Sequence, residues 1–184
     1  MSNKIFNASN SLSFLRLLLI IPAWFAFNNF DNNVARYSVA AIGAIATITD
    51  ILDGYLARKL NQVTEFGKVI DPLADKVLIV FVVFNLFLKG EIPEHYFYMI
   101  IVRDVLILIG GLFVSKKIGK VLPSDYLGKA TVLSIAFFLL VILLNVGSQS
   151  LPYLILYYLS MVLIFASFVN YLIKAAKALS QKTQ

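Results

Sequence analysis

Apolar residues run along the chain in six blocks, each about as long as a bilayer is thick. They cover 12–30, 35–56, 69–88, 95–114, 127–146 and 151–172. A hydrocarbon core of about 30 Å is crossed by about 20 apolar residues in helical form, so each block predicts one membrane-spanning helix. Little sequence is left between them. The pattern therefore predicts an all-α integral membrane protein with six transmembrane helices in one bundle, a single domain over 1–184 with a short N-terminal segment at 1–11. No internal repeat, low-complexity segment or long linker is visible. The first block has Lys4 ahead of it and small residues in "PAWFA" near its end, as a signal peptide would. Its apolar run is longer than a usual signal core, however, and Arg16 interrupts it early.

Charge orients the bundle. Twelve of the sixteen Lys and Arg lie at the N-terminus, at the second and fourth connections, at the C-terminus, or at the adjoining helix ends: Lys4, Arg16, Arg58, Lys59, Lys68, Lys116, Lys117, Lys120, Lys129, Lys174, Lys177 and Lys182. Arg36 and Lys89 fall near the other side, and Lys76 and Arg103 sit within spans. The positive-inside rule then predicts both termini in the cytoplasm, in the inner membrane of a cell.

Composition narrows the chemistry further. A mean hydropathy of +0.84 with 14% charged residues sets the chain apart from soluble domains, which carry roughly 25%. The net charge of +6 reports topology and contact with anionic lipid, and no nucleic-acid motif accompanies it. There is no cysteine and one histidine, His95, which excludes thiolate sites and His-ligated clusters. Any bound metal is held by oxygen, which favours hard cations such as Mg²⁺, Mn²⁺ or Ca²⁺. Most of the fifteen Phe and nine Tyr read as lipid-facing or interfacial. Tyr96, Tyr98, Tyr153, Tyr157 and Tyr158 fall near the outer boundary, as an aromatic belt would.

Against this background "DILDGYLARKLNQVTEFGKVIDPLAD", 50–75, stands out. It gathers four aspartates at the cytoplasmic ends of the second and third predicted spans. Asp50 and Asp53 are three apart and Asp71 and Asp75 four apart, so on helices each pair shares a face. Two antiparallel helices joined by the intervening turn would bring the pairs together. Carboxylates converging in a partly desolvated site repel one another until protons or cations intervene. A pair of divalent ions, which bridging carboxylates hold about 3.5–4 Å apart, suits phosphoryl chemistry. Gly54 and Gly67 remove side chains where a ligand would approach the backbone, and Arg58 offers a fork for a diphosphate. The plainer alternative is that these aspartates pair with Arg58, Lys68 or Lys76 and lock the bundle.

The spacing Asp50, Asp53, Gly54, Ala57, Arg58, Gly67, Asp71, Asp75, written D-x2-D-G-x2-A-R-x8-G-x3-D-x3-D, resembles the signature of the CDP-alcohol phosphotransferases at every position. The resemblance extends to chain length and six spans. It implies transfer of a phosphatidyl group from CDP-diacylglycerol to an alcohol with release of CMP. It also implies that Asp50, Asp53 and Asp71 are the principal ligands of two divalent ions, Mg²⁺ or Mn²⁺. Asp75 would contribute to metal binding and act as the base toward the acceptor hydroxyl. Gly54, Ala57, Arg58 and Gly67 would line the cytidine diphosphate pocket, with Thr47 a further nucleotide contact, and a homodimer is expected.

The acceptor is read from weaker elements. "NSLSFLRLLLIIP" resembles the entry segment of the phosphatidylglycerophosphate synthase branch through Asn10, Ser13, Arg16 and Pro22, and "IDPLADKVL" is also typical of that branch. Arg103 and Lys129 stand where it has further basic elements, although "VRD" and "GKATVLS" depart from the branch pattern. Arg103 needs an anionic partner inside a span. Asp104 is adjacent, but helical neighbours point differently; the candidates are an acceptor phosphate or one of the four signature aspartates. The expected acceptor is sn-glycerol 3-phosphate, bound by Asn10, Arg16, Arg103 and Lys129. "RDVLILIGG" also resembles cardiolipin synthases of the CDP-alcohol type, whose acceptor is phosphatidylglycerol. A carboxylate-relay transporter would need acids near the midplane and an inverted repeat. Membrane prenyltransferases, the other Asp-rich class, usually have more spans and widely separated acid motifs.

Overall fold

A computed structural model describes residues 14–59, 67–118 and 126–180, with the side chains of 51, 53–75, 115 and 118 left aside. Among the described residues the chain is all helix, in six elements. These are α1 (Ile20–Asn28), α2 (Asn33–Lys59), α3 (Gly67–Leu88), α4 (Glu94–Ile118), α5 (Tyr126–Leu143) and α6 (Leu151–Ser180). A further helical stretch at 14–18 precedes α1, with Leu19 as a turn between them. Three helices are long and apolar enough to cross a membrane: Glu94–Val114, Tyr126–Leu143 and Leu151–Ser180. Phe14–Asn28 and Lys76–Leu88 are shorter apolar stretches.

The ends of the elements follow from local chemistry. The first span is interrupted where one helix was expected because Pro22 has no N–H to give to the Leu18 carbonyl, and its ring crowds that carbonyl. The ladder resumes around it, with Leu19 N–H bonding to Leu15 O at 3.0 Å and Ala23 N–H to Leu19 O at 3.2 Å. Asn32 caps α2, its Oδ1 accepting from Val34 N–H at 2.9 Å. α3 ends at Leu88, followed by Gly90 in the left-handed region (φ 72°). α5 ends at Leu143, short of the expected 146, for a similar reason. Asn145 is left-handed (φ 56°) and Val146 N–H reaches back to Val141 O at 3.2 Å, the bond of a Schellman cap.

The helices form two compact units. In the first, Met1–Lys89 with Leu143–Asn145, α1 packs against both α2 and α3. Phe27 stacks on Phe30 at 5.0 Å and meets Phe81 of α3 edge-on at 6.0 Å. Arg36 lies 4.4 Å over the Phe30 ring.

In the second, Gly90–Ile142 with Val146–Gln184, α4 pairs with α6. The contacts run Tyr96 to Ser160, Arg103 to Ser167 and Gly110 to Tyr171, so these two helices are parallel. α5 runs the opposite way, with Thr131 reaching Leu163 and Phe138 meeting Tyr153. This register gathers Tyr96, Phe138, Tyr153 and Tyr157 at one end of the unit. Lys116, Lys117, Lys129, Lys174 and Lys177 lie toward the other, the polarity that the charge pattern predicts.

Candidate functional site

Every residue of the acidic signature lies on α2 or α3, the two helices joined by 60–66. Asp50 and Asp53 stand in the last three turns of α2, and Asp71 and Asp75 in the first three of α3. Helical rise sets their depth. Asp71 is ten residues before Phe81, about 15 Å of helix, and Arg16 is eleven before Phe27, about 16 Å. Phe27 and Phe81 touch, and Arg16 touches Asp50.

Asp50 is the signature residue whose side chain is described. Arg16 Nη1 donates to Asp50 Oδ1 at 3.0 Å. The two sides of the pair are unequal: the Arg16 side chain is 1% exposed and that of Asp50 49%. Sequence reasoning had weighed Arg58, Lys68 and Lys76 as basic partners for the aspartates and assigned Arg16 to the acceptor. The Arg16–Asp50 pair spans 34 positions and no local spacing announces it.

Thr47 lies one turn before Asp50 with its hydroxyl donating to Gly43 O at 2.9 Å. It is exposed, and its oxygen can still accept. Gly54, Ala57 and Arg58 are on α2 and Gly67 opens α3. The side chains at Ala57, Arg58, Asp53, Asp71 and Asp75, and all of Asn10, lie outside the described residues. Among the described residues no group of three metal-binding side chains occurs. The donors at the four signature positions are carboxylates, which fit a hard divalent cation.

In the second unit, Arg103 is held on two sides. Its Nη1 donates to Asp104 Oδ1 at 2.6 Å, and its Nε and Nη2 donate to Ser167 Oγ at 3.3 and 3.2 Å. The expectation that Arg103 and Asp104 diverge is therefore corrected. Successive residues do leave the helix about 100° apart, but the long arginine stem curls back along the surface far enough to close that angle. Ser167 was missed. The available signal was a set of hydroxyls inside an otherwise apolar helix, since Ser160 and Ser167, seven apart, share the buried face of α6 with Ile164. Lys129 stands exposed in the first turn of α5.

Comparison with known proteins decides what this arrangement belongs to. The family model described as CDP-alcohol phosphatidyltransferase matches residues 6–172. The chain belongs to the CDP-alcohol phosphatidyltransferase family. It is 36% identical over 177 residues to a CDP-diacylglycerol–glycerol-3-phosphate 3-phosphatidyltransferase of Aquifex aeolicus, covering 93% of this chain and 97% of that one. A protein of the same name from Rickettsia felis is 36% identical over 149 residues, covering 80% and 81%. Its counterpart from Rickettsia typhi is 34% identical over the same length, covering 80% and 82%.

Proposed function

We propose that the protein transfers the phosphatidyl group of CDP-diacylglycerol to sn-glycerol 3-phosphate, giving phosphatidylglycerophosphate and CMP. One observation carries this reading. A complete acidic signature lies on two consecutive helices of a chain that is aligned nearly end to end with a relative named for that transfer.

In this reading Asp50, Asp53, Asp71 and Asp75 hold two divalent ions, Mg²⁺ or Mn²⁺. Bound there, such ions neutralise the diphosphate and the departing CMP. Asp75 takes the proton from the acceptor hydroxyl. The freed oxygen attacks the phosphorus that carries diacylglycerol, a new P–O bond forms, and the bond to CMP breaks. Gly54, Ala57 and Gly67 let the nucleotide approach backbone, while Arg58 and Thr47 bind it. Arg103 and Lys129, with Asn10, receive the acceptor phosphate. Two of the bonds of Arg103 go to a neutral hydroxyl, which a phosphate oxygen displaces favourably because charge-assisted bonds are stronger. Arg16 was expected at the acceptor, but it is engaged with Asp50 in the structure.

The reading includes six membrane crossings, both termini and the active site on the cytoplasmic side, and a homodimer. The parallel α4 and α6, with their lysines toward one end, support that sidedness. Purified protein is given CDP-diacylglycerol with sn-glycerol 3-phosphate, phosphatidylglycerol or inositol phosphate in turn, and CMP is measured. The expected result is CMP release with glycerol phosphate and a phosphatidylglycerophosphate product. Exclusive use of phosphatidylglycerol would make the protein a cardiolipin synthase instead, and no CMP with any acceptor would remove the enzymatic reading.

A further inference from the structure

We propose that Arg16 is a positioning residue for the metal site, holding Asp50 by one carboxylate oxygen so that the other is presented to a divalent cation. This rests on the reading of Asp50 as a metal ligand. The geometry of the pair motivates it. A guanidinium that is 1% exposed has given up its hydration, which is tolerable only with good partners. Asp50 has not been buried with it, since its side chain remains 49% exposed. A pair serving only to tie the 14–18 stretch to α2 gives no reason for this asymmetry, since an ion pair at the surface would do so without burying the guanidinium. Here the cation is sealed into the protein and the anion opens outward. The bond to Asp50 runs from Nη1 to Oδ1. It engages one carboxylate oxygen of a half-exposed side chain, and Asp53 follows one turn further along the same helix.

Two effects of Arg16 on a cation at Asp50 oppose each other. Its charge repels the cation, and its hydrogen bond orients the ligand. The repulsion acts across a half-exposed carboxylate and is weakened by solvent and salt. Orientation is not screened, and hydrogen bonds of this kind behind metal ligands are typically worth 10–100-fold in metal affinity. Orientation is therefore expected to win.

The test is Mn²⁺ binding to purified full-length protein, without substrate, followed by electron paramagnetic resonance of the free ion. Arg16→Met is expected to weaken binding about tenfold. Arg16→Lys, which keeps one donor and the charge, is expected to stay within about threefold of the parent because it loses only the planar fork. In an Asp50→Asn background, Arg16→Met should add no further loss, which separates positioning from general damage to the fold. Binding in Arg16→Met that equals or exceeds the parent would overturn the proposal. If Asp50→Asn itself left Mn²⁺ binding unchanged, the reading of Asp50 as a ligand would fall first, and the role of Arg16 with it.

Discussion

Tyr96 and Ser160 join α4 to α6 through one hydrogen bond whose two ends differ in cost. Tyr96 is fully buried and donates its hydroxyl to Ser160 Oγ at 2.7 Å. Ser160, also fully buried, donates its own proton to Tyr157 O at 2.9 Å. Tyr96→Phe removes a donor and leaves Ser160 with its backbone acceptor. The ring keeps its edge-on contact with Phe138 at 4.8 Å. The loss is one interhelical bond, about 0.6 kcal/mol on average in membrane proteins.

Ser160→Ala removes the acceptor and leaves a buried phenol hydroxyl with nothing to bond, which costs about 1–3 kcal/mol. Ser160→Ala should therefore be the more damaging change by about 1 kcal/mol, although each change deletes a single hydroxyl. The double variant should cost less than the two singles added, because both remove the same bond. Reversible unfolding of the purified protein in mixed micelles of increasing denaturing detergent measures all four states. Equal losses, or a greater loss for Tyr96→Phe, would refute the assignment of donor and acceptor and the burial on which it depends.

Three further outcomes are expected. Asp75→Asn should abolish CMP release while equilibrium binding of CDP-diacylglycerol survives; near-normal turnover would remove Asp75 as the base. Arg103→Met should raise the KM for glycerol 3-phosphate by tenfold or more, as loss of a charge-assisted bond worth about 1.5–3 kcal/mol implies, with the KM for CDP-diacylglycerol unchanged. An equal rise in both would make Arg103 a structural group held by Asp104 and Ser167. Gly110→Ala would set a methyl 3.1 Å from Tyr171 Oη and 3.2 Å from its Cε1. The ring must shift, at about 1 kcal/mol for a modest overpacking, and the same unfolding assay should show part of that loss recovered in Gly110→Ala with Tyr171→Phe.

Periodicity and composition revealed the helices because membrane spans are set by length and apolarity, both local properties. Among the described residues all six predicted blocks coincide with helices, three of them long and apolar enough to cross a membrane, and the departures occur where one residue overrides the pattern: Pro22 breaks the first, and left-handed Asn145 shortens the fifth. The acidic signature was legible for the same reason, since its positions fall within two neighbouring helices. What stayed hidden was pairing between distant segments. Nothing in the sequence joins Arg16 to Asp50 or Arg103 to Ser167, 64 positions away, because helix packing alone brings them together. The pairing of Arg103 with Asp104 eluded the helical-face argument for a different reason. That argument follows the direction of Cβ, whereas a guanidinium acts at the end of a long flexible stem.

The proposed transfer depends on divalent cations held by the four aspartates of α2 and α3. The direct measurement is a structure of the purified protein with Mn²⁺ and CDP-diacylglycerol, with the manganese located by its anomalous scattering. Two manganese peaks about 3.5–4 Å apart, enclosed by Asp50, Asp53, Asp71 and Asp75 and touching the diphosphate, are the predicted result. Manganese absent from that site, with those carboxylates turned away from one another or bound only to basic side chains, would contradict it.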